Sequence, residues 1–198
     1  MSILYKLSDI YEWINYYEYK VRSAHIKKRE ARDLYKFIRE KQYLPIVKKI
    51  INGENFSFPQ KKYIKKTDTK KLREIYCFTR EENYTLKLLT YLLIREYDKA
   101  FSPNLYSFRN NCSVKIAIKK ILSIPHIDNY YSYKIDISNY FNSINVDKLL
   151  LKLKHLFCND KDLYNFISKL LQTPYCIEKD AIILEKKGVM AGGPVACF

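Results

Sequence analysis

The sequence predicts an α+β protein whose N-terminal part is helical and basic. Three observations carry that prediction. Apolar residues recur at helical spacing through residues 20–42. Two alternating stretches flank Thr67-Asp68-Thr69-Lys70 as the strands of a hairpin would. Residues 130–137, "YYSYKIDI", alternate apolar and polar side chains just before a turn and another helical segment. With 198 residues, 47% of them apolar, the chain is long enough to bury a real core and too apolar to be disordered.

In chain order, Val21, Ala24, Ala31, Leu34, Tyr35 and Ile38 mark the helix over 20–42, with basic residues between them. Pro45 opens a short helix, "PIVKKII", which Asn52-Gly53 ends. The hairpin follows over 61–78, its lysines projecting from a solvated loop. Asn83 is a suitable N-cap for a helix whose core stripe is Leu86, Leu89, Leu93 and Tyr97. A loop then leads to a helix capped by Ser113, with Val114, Ala117, Ile118 and Ile121 as its buried face. The strand over 130–137 puts Tyr131, Tyr133, Ile135 and Ile137 on one side and Asp136 on the other. Helices over "NVDKLLLKLKHLF" and "DLYNFISKLLQTP" come next, the second stopped near Pro174. "AIILEKKG" is a short strand, and Pro194 is placed as the first residue of a last helix.

The formal net charge is +15, which suits a polyanionic partner, nucleic acid or an acidic membrane surface. Nineteen tyrosines and ten phenylalanines accompany it, and rings beside lysines suit single-stranded nucleic acid. The same Ile, Lys, Asn and Tyr bias also fits an AT-rich genome. The five cysteines, at 77, 112, 158, 176 and 197, show no CxxC spacing, and His25, His126 and His155 stand in no zinc pattern with them. Scattered thiols point to a reducing cytosol. The first residues are too polar for a signal-peptide core, and no long uncharged run occurs. The expectation is a cytoplasmic chain that does not enter a membrane.

Asp136 is the residue around which chemistry could gather. A carboxylate at a strand end can hold a hard cation such as Mg²⁺ through oxygen. The turn "SNYF" after it could present backbone N–H groups to a phosphate, with the Phe141 ring alongside. On these residues alone, a surface Asp capping a turn and a Phe in the core is the simpler account.

Four segments shift that balance. "YKIDISNYFNSI" resembles the first catalytic motif of reverse transcriptases. "KKYIKKTDTKKLREIYCF" resembles their fingers hairpin. "LYSFRNNCSVKIAIKKI" resembles the "YGFR…S" segment of bacterial group II intron and retron-like members, and "KGVMAGGPVACF" their "GxPQGGP" segment. They occur in family order over roughly residues 60–198. The resemblance implies a right-hand polymerase fingers and partial palm with a helical N-terminal extension. It divides the chain into an extension over 1–55, a fingers-like region over 56–125 and a partial palm over 126–198.

It also implies roles. Asp136 would be the first acidic ligand of two Mg²⁺ ions, and the Ile137 carbonyl would ligate one of them. The N–H groups of Asn139 and Tyr140 would face the incoming triphosphate. Phe141 would pack under the sugar and favour dNTP over NTP. Lys66 and Arg73 would grip the triphosphate, a point charge and a planar fork on the same phosphates. Ala191 and Gly192 would lie against the nucleotide. The implied partners are an RNA template, a DNA or RNA primer and dNTPs. Arg109 is read as structural, orienting its loop.

Two departures from the family stand out. Ala191 replaces the Gln of "GxPQGGP", as some abortive-infection and other phage-defence reverse transcriptases also depart here. The chain also contains no Asp-Asp pair, whereas two-metal phosphoryl transfer needs further carboxylates to clamp ions about 3.5–4 Å apart. Together with an apolar run beginning after Pro194, this predicts a partial sequence that does not polymerise alone. A catalytically inactive, nucleic-acid-binding relative is the alternative.

Overall fold

The computed structural model describes residues 2–22, 26–65, 72–109, 112–185 and 188–198. A 3-10 helix, Ile3–Ser8, opens the chain, and α1 follows at Ile10–Arg22. α1 was not anticipated, because only Trp13 and Tyr16 of its polar-rich sequence are buried. Trp13 is the anchor. Its indole N–H donates to the Leu7 carbonyl at 2.8 Å, and its ring stacks on Tyr43 at 4.8 Å and meets Phe37 edge-on at 5.4 Å. The helix expected over 20–42 is α2, Lys28–Arg39, burying Leu34, Phe37 and Ile38. Tyr35 and Val21 are exposed, and Ala24 lies outside the described residues. α3, Tyr43–Ile51, ends where Gly53 turns with φ +69°.

The central helix is α4, Arg80–Glu96. Its cap is Thr79 and not Asn83. The Thr79 side chain accepts from Glu82 N–H, and the Glu82 carboxylate accepts from Thr79 N–H, closing a capping box that a cap at 83 could not form. Glu82 is buried, and it also accepts from the N–H and hydroxyl of Ser57 at 3.0 and 2.5 Å. This ties the loop before the hairpin to the helix. Leu86, Leu89 and Leu93 are buried as expected, joined by Leu88 and Leu92. Thr79→Ala is expected to cost about 1–2 kcal/mol in urea unfolding, the range for losing such a cap.

β1 (Gln60–Lys65) and β2 (Leu72–Cys77) form the expected antiparallel hairpin, with Lys61 opposite Tyr76 and Ile64 opposite Arg73. A second hairpin, β3 (Tyr175–Glu178) and β4 (Ala181–Leu184), turns through Lys179 and Asp180. Both turn residues have positive φ, the mirror-image turn that matches strand twist. β1 runs parallel to β3 beside it, giving the order β2-β1-β3-β4 in a mixed sheet.

The remaining helices are α5 (Val114–Leu122), α6 (Tyr140–Ser143), α7 (Val146–Leu156) and α8 (Lys161–Gln172), with a 3-10 turn at Pro194–Cys197. Ser113, Asn145 and Asp160 cap α5, α7 and α8. Asp160 also accepts from Ile3 N–H at 2.8 Å, holding the first helix to α8. One buried apolar cluster runs from Ile3 through α1–α4 to Phe157, Leu163, Phe166 and Ile167. The protein is therefore α+β, with most of its core between helices and a small sheet at one side.

Two expectations need correction. Residues 130–137 form no strand. Tyr131 is 92% exposed and Tyr133 and Ile135 are each 88% exposed. A strand exists only through its hydrogen-bonded neighbour, and among the described residues none lies beside this stretch. α5 is a helix with the expected cap, but its expected buried face is not buried: Val114 is 75% exposed, and Ile118 and Ile121 are exposed too. Periodicity set the local shape of α5 without supplying a surface to cover it.

Candidate functional site

The segment 188–193 is wedged between two elements that carry site residues. On one side, Gly188 N–H donates to the Asn142 carbonyl at 3.3 Å and Val189 N–H to the Phe141 carbonyl at 2.8 Å. On the other, Tyr76 N–H, in β2, donates to the Ala191 carbonyl at 2.8 Å. Two glycines permit this closeness. A Cβ on Gly188 would collide with the Phe141 carbonyl and lie 2.6 Å from the Ile144 carbonyl. Gly192 has φ +102°, and a Cβ there would lie 3.1 Å from the Ile75 Cβ. Gly188→Ala is therefore expected to expel the segment from the α6 turn. Limited proteolysis should then cut near 188 in the variant under conditions that leave the parent chain intact, with α4 and its neighbours still folded by circular dichroism.

Asn139 precedes α6 in the left-handed conformation, φ 53° and ψ 35°. Asn residues tolerate this better than most. Among the described residues, neither its N–H nor that of Tyr140 donates to another element. Tyr140 is exposed, Phe141 is half-buried, and their rings meet edge-to-face at 5.4 Å. Asp136 and Ile137 sit at the end of the irregular stretch, both exposed. Arg73 is exposed on β2. By strand alternation it shares a face with Ile75, the side chain that Gly192 approaches. Lys66 lies outside the described residues.

The segment thus joins the hairpin bearing Arg73 to the turn bearing Phe141, and it contributes Ala191 and Gly192 itself. Among the described residues, no three His, Cys, Asp or Glu side chains group as a metal site. Asp136 and the Ile137 carbonyl fit one corner of a Mg²⁺ site whose other positions would go to water and phosphate. They do not fit a pair of ions.

The sequence reading missed the opposite face of the sheet. Lys61 is not a solvated lysine. Its side chain is 8% exposed, and its ammonium lies 2.7 Å from Glu185, itself 10% exposed, and 3.8 Å from Glu74. The hydrogen bond to Glu185 raises the Lys61 pKa, against the opposing effect of burial. Tyr63 adds a 2.6 Å hydrogen bond to Glu178, so the network spans both hairpins. Lys61 and Glu74 are diagonal neighbours on one hairpin face, a signal that was present in the sequence. Glu185, more than a hundred residues away, gave none.

Arg109 behaves as expected of a structural arginine. Its guanidinium makes paired hydrogen bonds of 2.9 and 2.8 Å to Asp98 and reaches the Ser102 carbonyl at 2.9 Å. This lowers the Asp98 pKa through the hydrogen bond first. No helix among the described residues is long and apolar enough to cross a membrane. No protein-family model and no curated protein matches this sequence.

Proposed function

We propose that the chain is part of an RNA-directed DNA polymerase, with fingers formed around the β1–β2 hairpin and a partial palm around Asp136. One observation supports this above the rest. Segment 188–193 is hydrogen-bonded at once to β2 and to the turn before α7, so residues from three sequence-distant motifs meet around one backbone path. On this reading Arg73 and Lys66 hold the triphosphate of a dNTP, Phe141 lies under its sugar, and Ala191 and Gly192 pass beside the base. The N–H groups of Asn139 and Tyr140 point to phosphate oxygens. Bound Mg²⁺ would supply Lewis-acid stabilisation of the phosphoryl group. Asp136 and the Ile137 carbonyl would contribute to holding it, and further carboxylates are required beyond those grouped here.

A second reading has its own support: a reverse-transcriptase-like module that holds nucleic acid without catalysis. Asp136 stands without a carboxylate partner, Ala191 replaces a contact residue, and the +15 charge remains. Primer extension on an RNA template with dNTPs and Mg²⁺, using the protein with whatever sequence accompanies these residues in its gene, separates the two. Templated incorporation supports the polymerase. Salt-sensitive RNA binding with no incorporation supports the module. Neither result, with no RNA binding at low salt, sinks both.

A further inference from the structure

We propose that a cavity of about 440 Å³ between α3, α8 and the 188–196 segment is a binding site for a neutral, largely aromatic small molecule carrying one hydrogen-bond acceptor. This is independent of the nucleotide reading and concerns different residues. The volume falls in the range of about 300–1,000 Å³ typical of small-molecule pockets. Its walls are apolar. Phe56 meets Phe166 edge-to-face at 5.5 Å and Phe78 at 5.9 Å, and Ile50, Leu86 and Val189 complete the lining. Rings so arranged favour a flat aromatic guest.

The polar content is small and specific. Ser168 lines the cavity, and its hydroxyl is shielded from solvent with no hydrogen-bond partner. One hydroxyl falls short of the two to four partners that a buried water takes. It can, however, donate to a ligand carbonyl or ring nitrogen. The charged lining residues are at the rim. Glu54 and Asp162 are exposed, and the Lys169 ammonium is engaged by the Gly53 carbonyl at 2.7 Å. None is placed to neutralise a charge carried deep into the cavity, so the guest is uncharged.

The probe is 6-propionyl-2-(dimethylamino)naphthalene, a neutral fluorophore with one ketone, titrated into the full chain and followed by its emission. We expect one saturable site with blue-shifted emission. Ser168→Ala should weaken binding about fivefold, the effect of one net hydrogen bond. Ala196→Phe, which fills the cavity, should abolish it with the circular dichroism spectrum and melting temperature retained. No binding by the parent chain overturns the proposal. So does an affinity unchanged in either variant, which would place the probe on the exposed apolar stretch 130–137. Should Ala196→Phe fail to fold, the Ser168→Ala affinity decides.

Discussion

Asp136→Ala is expected to abolish primer extension, by about a thousandfold or more, while leaving the fold and RNA binding intact. The size follows from the chemistry. A carboxylate that helps to position a phosphoryl-bound cation contributes several kcal/mol of transition-state stabilisation, and each 1.36 kcal/mol is a factor of ten. The lack of a structural effect follows from the surroundings. Asp136 is exposed, and among the described residues it has no ion-pair or hydrogen-bond partner. Its removal should change the unfolding free energy by less than about 0.5 kcal/mol. RNA affinity should hold or rise slightly, since a negative charge leaves a basic surface. An active parent protein whose Asp136→Ala variant extends primers at the same rate would remove Asp136 from the site.

The largest stability effect belongs to Lys61, a residue with no part in that chemistry. Lys61→Met keeps most of the side-chain volume and removes the ammonium opposite Glu185. A carboxylate left in a site only 10% exposed without that charge should cost about 3–5 kcal/mol. For a chain of this size that is on the order of a 10 °C fall in melting temperature. Glu74, at 3.8 Å and more exposed, contributes less. The double change Lys61→Met with Glu185→Leu should recover much of the loss, because no buried charge then lacks its counterpart. The pH dependence has a defined sign. Lys61 titrates higher in the folded chain than in the unfolded one, so its stabilisation is complete below the ordinary lysine value, about 10.4. It is lost only as pH rises through the raised folded value. Thermal melts should therefore show the Lys61→Met penalty undiminished between pH 7 and 9. A penalty below about 1 kcal/mol across that range would mean the pair is solvated.

Local signals read well where local forces decide the outcome. Ser113 caps α5 and Gly53 ends α3, and the alternating flanks of residues 66–71 pair as a hairpin, because hydrogen bonds within a few residues fix each feature. The reading slipped where a nearby competitor was better placed. Asn83 is a reasonable cap in isolation, but Thr79 with Glu82 closes a reciprocal pair of hydrogen bonds that Asn83 cannot. β3 escaped notice because four residues carry too little pattern to stand out. The Arg109 expectation held, since its partner Asp98 is only eleven residues away.

The amino-acid order alone determined that this chain is α+β, strongly basic, and provided with helix caps, a basic hairpin and glycines at 188 and 192. Those properties arise from composition and from interactions spanning a few residues. Only the tertiary structure decided that the glycines serve close backbone approach, that Lys61 is buried against Glu185, and that the alternating stretch ending in Asp136 stays unpaired. Each of those depends on what lies opposite in space. A hydrogen-bond donor, a charge or an apolar face acquires its energy from its neighbour, and neighbours here are set by chain segments more than a hundred residues apart.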